Sequence, residues 1–245
     1  MAERNPHGST ARFPRRRTPS RFARLRLHLL LAGLLLLGGV AFWVVAMSSL
    51  MGVHTVRVEG TRLLTAAQVQ QAADVPDGAA LARLDVGAIA DRVRQLLPVA
   101  AVSVQRDWPT GLRIVVTERV AVAAVADHGT LEGMDAEGVL FRHYRHAPKR
   151  LPLVRAGDLA ATGRAAALHE VATAVSSLQP AVSRKLDHVD VASMDAITLV
   201  LRDGDTVVWG SADESTLKAQ VLTALLHVRG SHYDVSVPEQ PTTAQ

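Results

Sequence analysis

The chain has 245 residues, a formal net charge of +4 and no cysteine. The missing cysteine excludes disulfide bonds, a thiolate nucleophile and thiolate metal ligands. Eight arginines against one acid give residues 1–26 a net charge of +7, so the remainder of the chain is slightly acidic. The basic character of the chain is therefore mainly a property of its first 26 residues.

Residues 1–26 combine arginine with proline and glycine and offer little that a core could bury, so we predict a disordered tail. Short basic flanks stay on the cytoplasmic side of a membrane span. The arginines that set this orientation are Arg15, Arg16, Arg17, Arg21, Arg24 and Arg26. A nucleic-acid-binding arm would use the same arginines as phosphate contacts, but it would interleave more aromatic residues. We therefore predict a cytoplasmic tail and no nucleic-acid partner.

The stretch from residue 27 to residue 51 contains no Asp, Glu, Lys or Arg. A helix needs about 20 apolar residues to cross a bilayer, and this run supplies them. A cleaved signal peptide is the main alternative, with Ala46-Met47-Ser48 as a weak cleavage site, but its apolar region is about 7–15 residues long. A buried core helix would show a polar stripe, which is missing here. We predict one uncleaved transmembrane helix, single-pass and type II, with the C-terminal bulk outside.

Residues 53–120 are predicted to form a small α+β domain. Alternation of apolar and polar residues indicates strands at 53–59, 99–106 and 112–118. Thr65 and Gln68 have the spacing of a capping box that opens one helix, and Asp85 can cap a second. The order is β-α-α-β-β, with both helices packed on one face of a three-stranded sheet.

Residues 121–237 are predicted to form a second, β-rich domain, followed by a disordered polar tail at 238–245. Asp135-Ala136-Glu137-Gly138 is a hairpin turn, and residues 142–151 form a basic loop. Helices are predicted at 160–178 and 217–228. The predicted strands of this domain are 120–126, 186–192, 197–202, 206–210 and 233–237.

In this order, behind a basic tail and one span, the chain resembles the FtsQ/DivIB family of bacterial cell-division proteins. The β-α-α-β-β order is the polypeptide-transport-associated (POTRA) arrangement. The matching residues are Val53 to Gly60, Val102 to Pro109, Thr117-Glu118-Arg119 and Asp135 to Phe141, and the resemblance covers nearly all of residues 25–241. The fold that it implies is a single transmembrane helix plus an α+β extracytoplasmic region, in which a POTRA domain precedes a β-rich FtsQ-type domain.

The resemblance also implies a function. Members of this family are essential divisome proteins of the plasma membrane, concentrated at the division septum. They act as scaffolds that link division proteins and help to regulate septal peptidoglycan synthesis. The implied partners are FtsB-like and FtsL-like membrane proteins, with FtsW/FtsI-like and FtsK-like proteins as further candidates.

The last predicted strand is the candidate docking edge. Unpaired main-chain groups at a sheet edge accept a partner strand, and a proline that follows cannot continue the ladder. An ordinary edge strand that only completes the sheet is the alternative. By position, the resemblance assigns FtsB and FtsL binding to Tyr233, Asp234, Val235, Ser236, Val237 and Pro238.

Within the first domain, the resemblance links Val104 and Arg106 to recruitment of other division proteins. These two residues are equally compatible with one core position and one surface position of a strand.

No catalytic arrangement is predicted, and no cofactor, metal or small-molecule substrate. His143 and His146 have the spacing of a metal pair but lack a nearby carboxylate, so a solvated loop is the better interpretation. Two alternatives stay open. One is a POTRA-type chaperone for exported chains, and the other is a signal-anchored hydrolase that pairs Lys218 with Ser211 or Ser215.

Overall fold

The structure, a computed structural model, describes residues 21–47, 52–156, 159 and 162–244. Its first element is α1, the 27-residue helix Arg21–Met47, in which the leucines between residues 29 and 37 are exposed. Arg15, Arg16 and Arg17 lie outside the described residues, and Arg26 is exposed on α1. Residues 21–24, 27 and 45–47 are described only as helical backbone.

Among the residues that are described in full, no helix is both long enough and apolar enough to cross a membrane.

The POTRA-like module begins with strand β1 (Thr55–Glu59) and has the predicted β-α-α-β-β order. Its sheet has the order β1-β3-β2, in which β1 runs parallel to β3 and β2 runs antiparallel to it. The other elements are α2 (Ala66–Ala73), α3 (Val86–Arg94), β2 (Val99–Asp107) and β3 (Gly111–Glu118), with a 3-10 turn at Leu81–Arg83.

Both predicted helix caps of this module are confirmed. Thr65 and Gln68 form the complete capping box of α2, and the Asp85 side chain accepts a hydrogen bond of 3.0 Å from Ala88 N at the start of α3. Among the apolar residues that follow Asp85, Val86, Ile89, Val93, Leu96 and Leu97 have the spacing of one helix face, but Leu97 does not belong to the helix. The helix ends at Arg94, so Leu97 falls in the connection to β2 and is exposed.

The second module is built on a nine-stranded sheet with the order β12-β11-β10-β9-β8-β7-β4-β5-β6. Its strands are β4 (Ala123–Asp127), β5 (Thr130–Met134), β6 (Leu140–His143), β7 (Leu153–Arg155), β8 (Leu186–Ser193), β9 (Ala196–Leu201), β10 (Thr206–Gly210), β11 (His232–Asp234) and β12 (Thr242–Ala244). The helices are α4 (Arg164–Ser177), α5 (Pro180–Ser183) and α6 (Ser215–Leu225).

Helix α4 supplies much of the core of this module. Leu168, Val171 and Val175 are buried against the sheet, as their spacing predicts. Gly138 in the β5–β6 turn has φ +83°, and an added Cβ would lie 2.6 Å from His169 N. The turn therefore needs glycine, because it packs directly on the backbone of α4.

Two expectations for this module are wrong, and one of its strands is not predicted. The strand predicted to start at Val120 begins at Ala123, and Val120 is exposed. Strand β7, which follows the predicted basic loop at residues 142–151, is missing from the predicted strands; it is held between β4 and β8 by parallel pairing that a short apolar run does not reveal. The polar tail predicted at residues 238–245 is partly a strand, because Thr242–Ala244 pairs with β11.

Candidate functional site

The predicted docking segment, residues 233–238, is not at the edge of the sheet. Tyr233 pairs with Val207 of β10 on one side and with Thr243 of β12 on the other. Asp234 likewise pairs with Val208 and Thr242. The main chain of β11 is therefore used on both sides, and the interpretation of this strand as an open edge is corrected.

The side chains of the segment explain why it lies inside the sheet. Tyr233 and Val235 are buried, the Tyr233 hydroxyl donates to Gly230 O at 2.8 Å, and Val235 N donates to Val208 O at 3.0 Å. Ser236 donates twice to Asp234 Oδ1, from its backbone N at 2.9 Å and from its Oγ at 2.7 Å. Pro238 is buried and Val237 is exposed. Five of the six predicted residues are thus buried or half-buried, and Val237 alone among them is exposed.

The outer strand at this end of the sheet is β12. Thr242, Thr243 and Ala244 are exposed, and within the described residues β12 pairs with β11 only. At the other end of the sheet β6 pairs with β5 only. These two strands carry the unpaired main-chain groups that strand addition requires.

A buried lysine stabilises the end of the sheet that contains β10, β11 and β12. Lys218 on α6 is 2% exposed, and its Nζ donates to Trp209 O at 3.1 Å and to Ser211 O at 2.9 Å. Burial lowers the pKa of Lys218, and nearby carboxylates, including Asp213 and Asp234, oppose that shift in part. The lysine therefore ties the end of β10 to the start of α6.

The same contacts bear on the hydrolase alternative. Ser215 Oγ donates to Ala212 O at 2.7 Å and accepts from Trp209 Nε1 at 3.3 Å. Lys218 is engaged with two carbonyl groups, and no hydrogen bond joins it to Ser215 in this part of the structure. A serine nucleophile needs a base within hydrogen-bond reach, so this geometry gives the alternative no support.

In the POTRA-like module, Val104 and Arg106 both lie on β2, an edge strand of the small sheet. Val104 packs against the module core. The Arg106 guanidinium donates to Leu81 O at 2.9 Å and to Leu84 O at 2.6 Å. Both residues thus have structural roles, and their link to recruitment stays a prediction.

The predicted basic loop gives no metal site among the described residues. His143 Nδ1 lies 3.4 Å from Glu132 Oε1, and the Arg142 guanidinium lies 5.0 Å from the centre of the Tyr144 ring.

Sequence reasoning missed the contacts that join the two modules. Glu118, the last residue of β3, turns back to the first module and accepts from Leu63 N at 2.9 Å and Leu64 N at 2.8 Å. Arg119, the next residue, contacts the second module: its Nη1 donates to Asp135 and, at 3.0 Å, to Glu137. Adjacent opposite charges at a strand end were the available signal.

The pKa values at the junction follow from these contacts. Partial burial raises the pKa of Glu118, but hydrogen bonds from Leu64, Leu63 and Arg62 outweigh it, so the pKa is lowered below its ordinary value. Desolvation alone would lower the pKa of Arg119, but the hydrogen bonds to Asp135 and Glu137 outweigh it, so the pKa is raised above its ordinary value. Both groups are charged at neutral pH.

Comparison with known proteins gives two family matches. The family described as "POTRA domain, FtsQ-type" matches residues 51–119, and the family described as "Cell division protein FtsQ/DivIB, C-terminal" matches residues 123–236. Together they cover both modules.

Curated relatives extend the likeness over most of the chain. A cell division protein FtsQ from Streptomyces collinus is 41% identical over 234 residues, which is 90% of this chain and 89% of the relative. FtsQ from Streptomyces coelicolor is 37% identical, over 99% of this chain and 97% of its own length. FtsQ from Streptomyces venezuelae is 35% identical, over 99% of this chain and 94% of its own length.

Proposed function

Because the chain belongs to the FtsQ/DivIB family of bacterial cell-division proteins, we propose that it is a membrane-anchored scaffold of the divisome. Its role in cell division follows from the family. The finer proposal is that its outer modules bind other division proteins, FtsB-like and FtsL-like ones first, and help to regulate septal peptidoglycan synthesis. The single observation that supports it best is that the sheet ends in an exposed strand, β12, which pairs with the inner strand β11.

The docking edge of this proposal is the outer side of β12 instead of β11. Thr242, Thr243 and Ala244 carry side chains that nothing in the described chain buries. An extended partner segment can add beside them through main-chain hydrogen bonds. Of the predicted residues, Tyr233 and Asp234 then hold β12 in register.

Membrane anchoring is the second part of the proposal. It rests on the uncharged run at residues 27–51, the helical conformation of Arg21–Met47 and the arginine-rich flank before it. Large apolar side chains such as Leu35 and Phe42 are exposed on α1 and need an apolar environment. In this arrangement the arginines face the cytoplasm and both modules lie outside.

Topology and function are tested separately. Protease added to intact spheroplasts should remove both outer modules and leave the N-terminal segment protected, whereas degradation of the N-terminal segment alone would refute the orientation. A fluorescent fusion should concentrate at division septa, and depletion should block septation. An even distribution around the cell together with normal division after depletion would refute the scaffold role.

The POTRA-type chaperone is the alternative that the fold still permits. Crosslinking from the exposed face of the POTRA-like module separates the two functions. Capture of many unrelated exported chains would favour the chaperone, and capture of division proteins would favour the scaffold.

A further inference from the structure

The second open edge of the large sheet, β6, borders a groove at the junction of the modules. The groove encloses about 420 Å³, a volume in the range of ligand-binding clefts. Residues 141, 142 and 144, on and just after β6, form one side, and Gly60, Arg62 and Leu63, from the connection between β1 and α2, form the other. The rest of its lining is residues 116–121.

The main chain of β6 is available along this groove. Within the described residues the strand pairs only with β5, through Leu140, Arg142 and His143. Tyr144 N continues the pairing by donating to Leu131 O at 2.8 Å. The side of β6 away from β5 therefore has the unpaired groups of an edge strand.

The charge of the groove is positive. Its lining contains three arginines, of which Arg119 is already paired with Asp135 and Glu137, and one carboxylate, Glu118, which is engaged with the amides of Leu63 and Leu64. Arg62 and Arg142 thus remain available to a partner. Arg145, Lys149 and Arg150 follow β6 directly, and residues 142–150 contain no acid. A partner that enters this groove meets excess positive charge, which selects for acidic residues.

One of these arginines is held in place before any partner arrives. The Arg142 guanidinium lies 5.0 Å over the Tyr144 ring. The ring in turn packs on Gly133, where an added Cβ would lie 2.9 Å from Tyr144 Cε2, so only glycine leaves room for it. A side chain that is already ordered loses less conformational entropy when it binds.

The groove also has an apolar component. Val120 is 77% exposed and Leu63 is 39% exposed, while Phe141 is buried at the β6 side. Apolar side chains that point into a cleft between two rigidly bonded modules can be covered by alternate residues of an extended segment.

We propose that this groove binds an extended acidic segment of a partner protein, which adds to β6 as a further strand. Its main chain pairs with the free side of β6. Acidic side chains face Arg142, Arg62 and the basic loop, and apolar side chains of the alternate register cover Leu63 and Val120. This gives the proposed scaffold a second docking surface, at the opposite end of the sheet from β12.

The test uses the full chain in detergent micelles and a fluorescent eight-residue peptide in which glutamate and valine alternate. Fluorescence anisotropy at low salt should show binding of this peptide and much weaker binding of its lysine–valine counterpart. Arg142→Glu should weaken binding by about tenfold or more, which corresponds to about 1.4 kcal/mol. Arg184→Glu, at an exposed site outside the groove, is the matched control and should change nothing.

A second readout separates strand addition from simple charge attraction. Hydrogen exchange of the amides of residues 140–144 should slow when the peptide binds, and that of β12 should not. An N-methylated peptide cannot complete the main-chain ladder and should lose most of its affinity. Equal binding of the N-methylated peptide, or protection of β12 in place of β6, would overturn the proposal.

Failure here and failure of the proposed scaffold function are distinguishable. If the peptide neither binds nor protects the amides of β6, while division proteins are still captured through β12, only the second docking surface is refuted. Normal division after depletion would refute the scaffold role, and the peptide assay would then test only whether β6 binds an acidic segment.

Discussion

The guanidinium of Arg119 donates to the buried carboxylate of Asp135, and this pair fastens the C-terminal module to the end of β3. Both side chains are largely buried, and Asp135 also accepts from Glu137 N at 3.0 Å and Val139 N at 2.9 Å. Arg119 thus fixes the β5–β6 turn relative to the POTRA-like module.

Replacing Arg119 by leucine should destabilise the protein, because Asp135 keeps its buried charge and loses its cationic partner. The expected loss is about 3 kcal/mol, or roughly 6–12 °C in Tm for a region of this size, measured by thermal unfolding. The double variant Arg119→Leu with Asp135→Asn should recover part of the loss. A change in Tm of less than a degree would show that the pair contributes nothing.

Glu118 should make stability depend on pH in the acidic range. Its folded-state pKa is lowered from the ordinary 4.5, so the unfolded chain takes up a proton first as the pH falls. The contribution of Glu118 is complete above about pH 4.5 and is lost as the pH falls through the lower, folded-state value. Glu118→Gln should flatten this part of the Tm profile, and Glu239→Gln, in an exposed segment, serves as the control.

Lys218→Met should lower stability by about 1–3 kcal/mol, because the carbonyl groups of Trp209 and Ser211 lose their donor. Lys149→Met, at an exposed position, should have little effect. Thermal unfolding, measured in parallel with partner capture, distinguishes this structural role of Lys218 from a catalytic role. Lost function at unchanged stability and unchanged capture would instead indicate a catalytic lysine.

Arg106→Ala should weaken the POTRA-like module by a similar mechanism, since two carbonyl acceptors near the 3-10 turn lose the guanidinium. We expect a loss of about 1–3 kcal/mol. Gln105→Ala, the exposed neighbour, is the control. If Arg106→Ala disturbs septal localisation while unfolding is unchanged, the residue contacts a partner directly and the structural account is wrong.

Proline at β12 should block docking without disturbing the fold. Successive N–H groups of a strand point to opposite sides, so one of Thr242→Pro and Thr243→Pro removes a donor on the free side. That variant should abolish co-purification of the FtsB-like partner at unchanged Tm. The other removes a β11 contact and should lower Tm. Thr243→Val keeps the donor and should bind normally. Retention of the partner by both proline variants would place docking elsewhere.

The sequence predicted the small module well because its signals are local. A capping box, an aspartate cap and period-two alternation each lie within a few residues, and the structure has all of them. The errors in the large module are long-range. Strand β7 and strand β12 are three residues long and exist only because of their neighbours in the sheet.

The misplaced docking edge has the same cause. Residues 233–237 alternate as an edge strand does, and Pro238 signals an end, but neither feature shows that the chain returns after Pro241 to pair again. Arg119 and Asp135 are 16 positions apart, so their pairing was equally invisible, although both belong to the segments that carry the family resemblance.

Glu118 bonds to the first module and Arg119 to the second, and this affects the stiffness of the junction. Neighbouring side chains at one strand end hold the two modules from either side, so the molecule resists bending where a flexible linker would yield. In the scaffold proposed above, such a junction would hold partners bound to the C-terminal module at a fixed distance from the POTRA-like module.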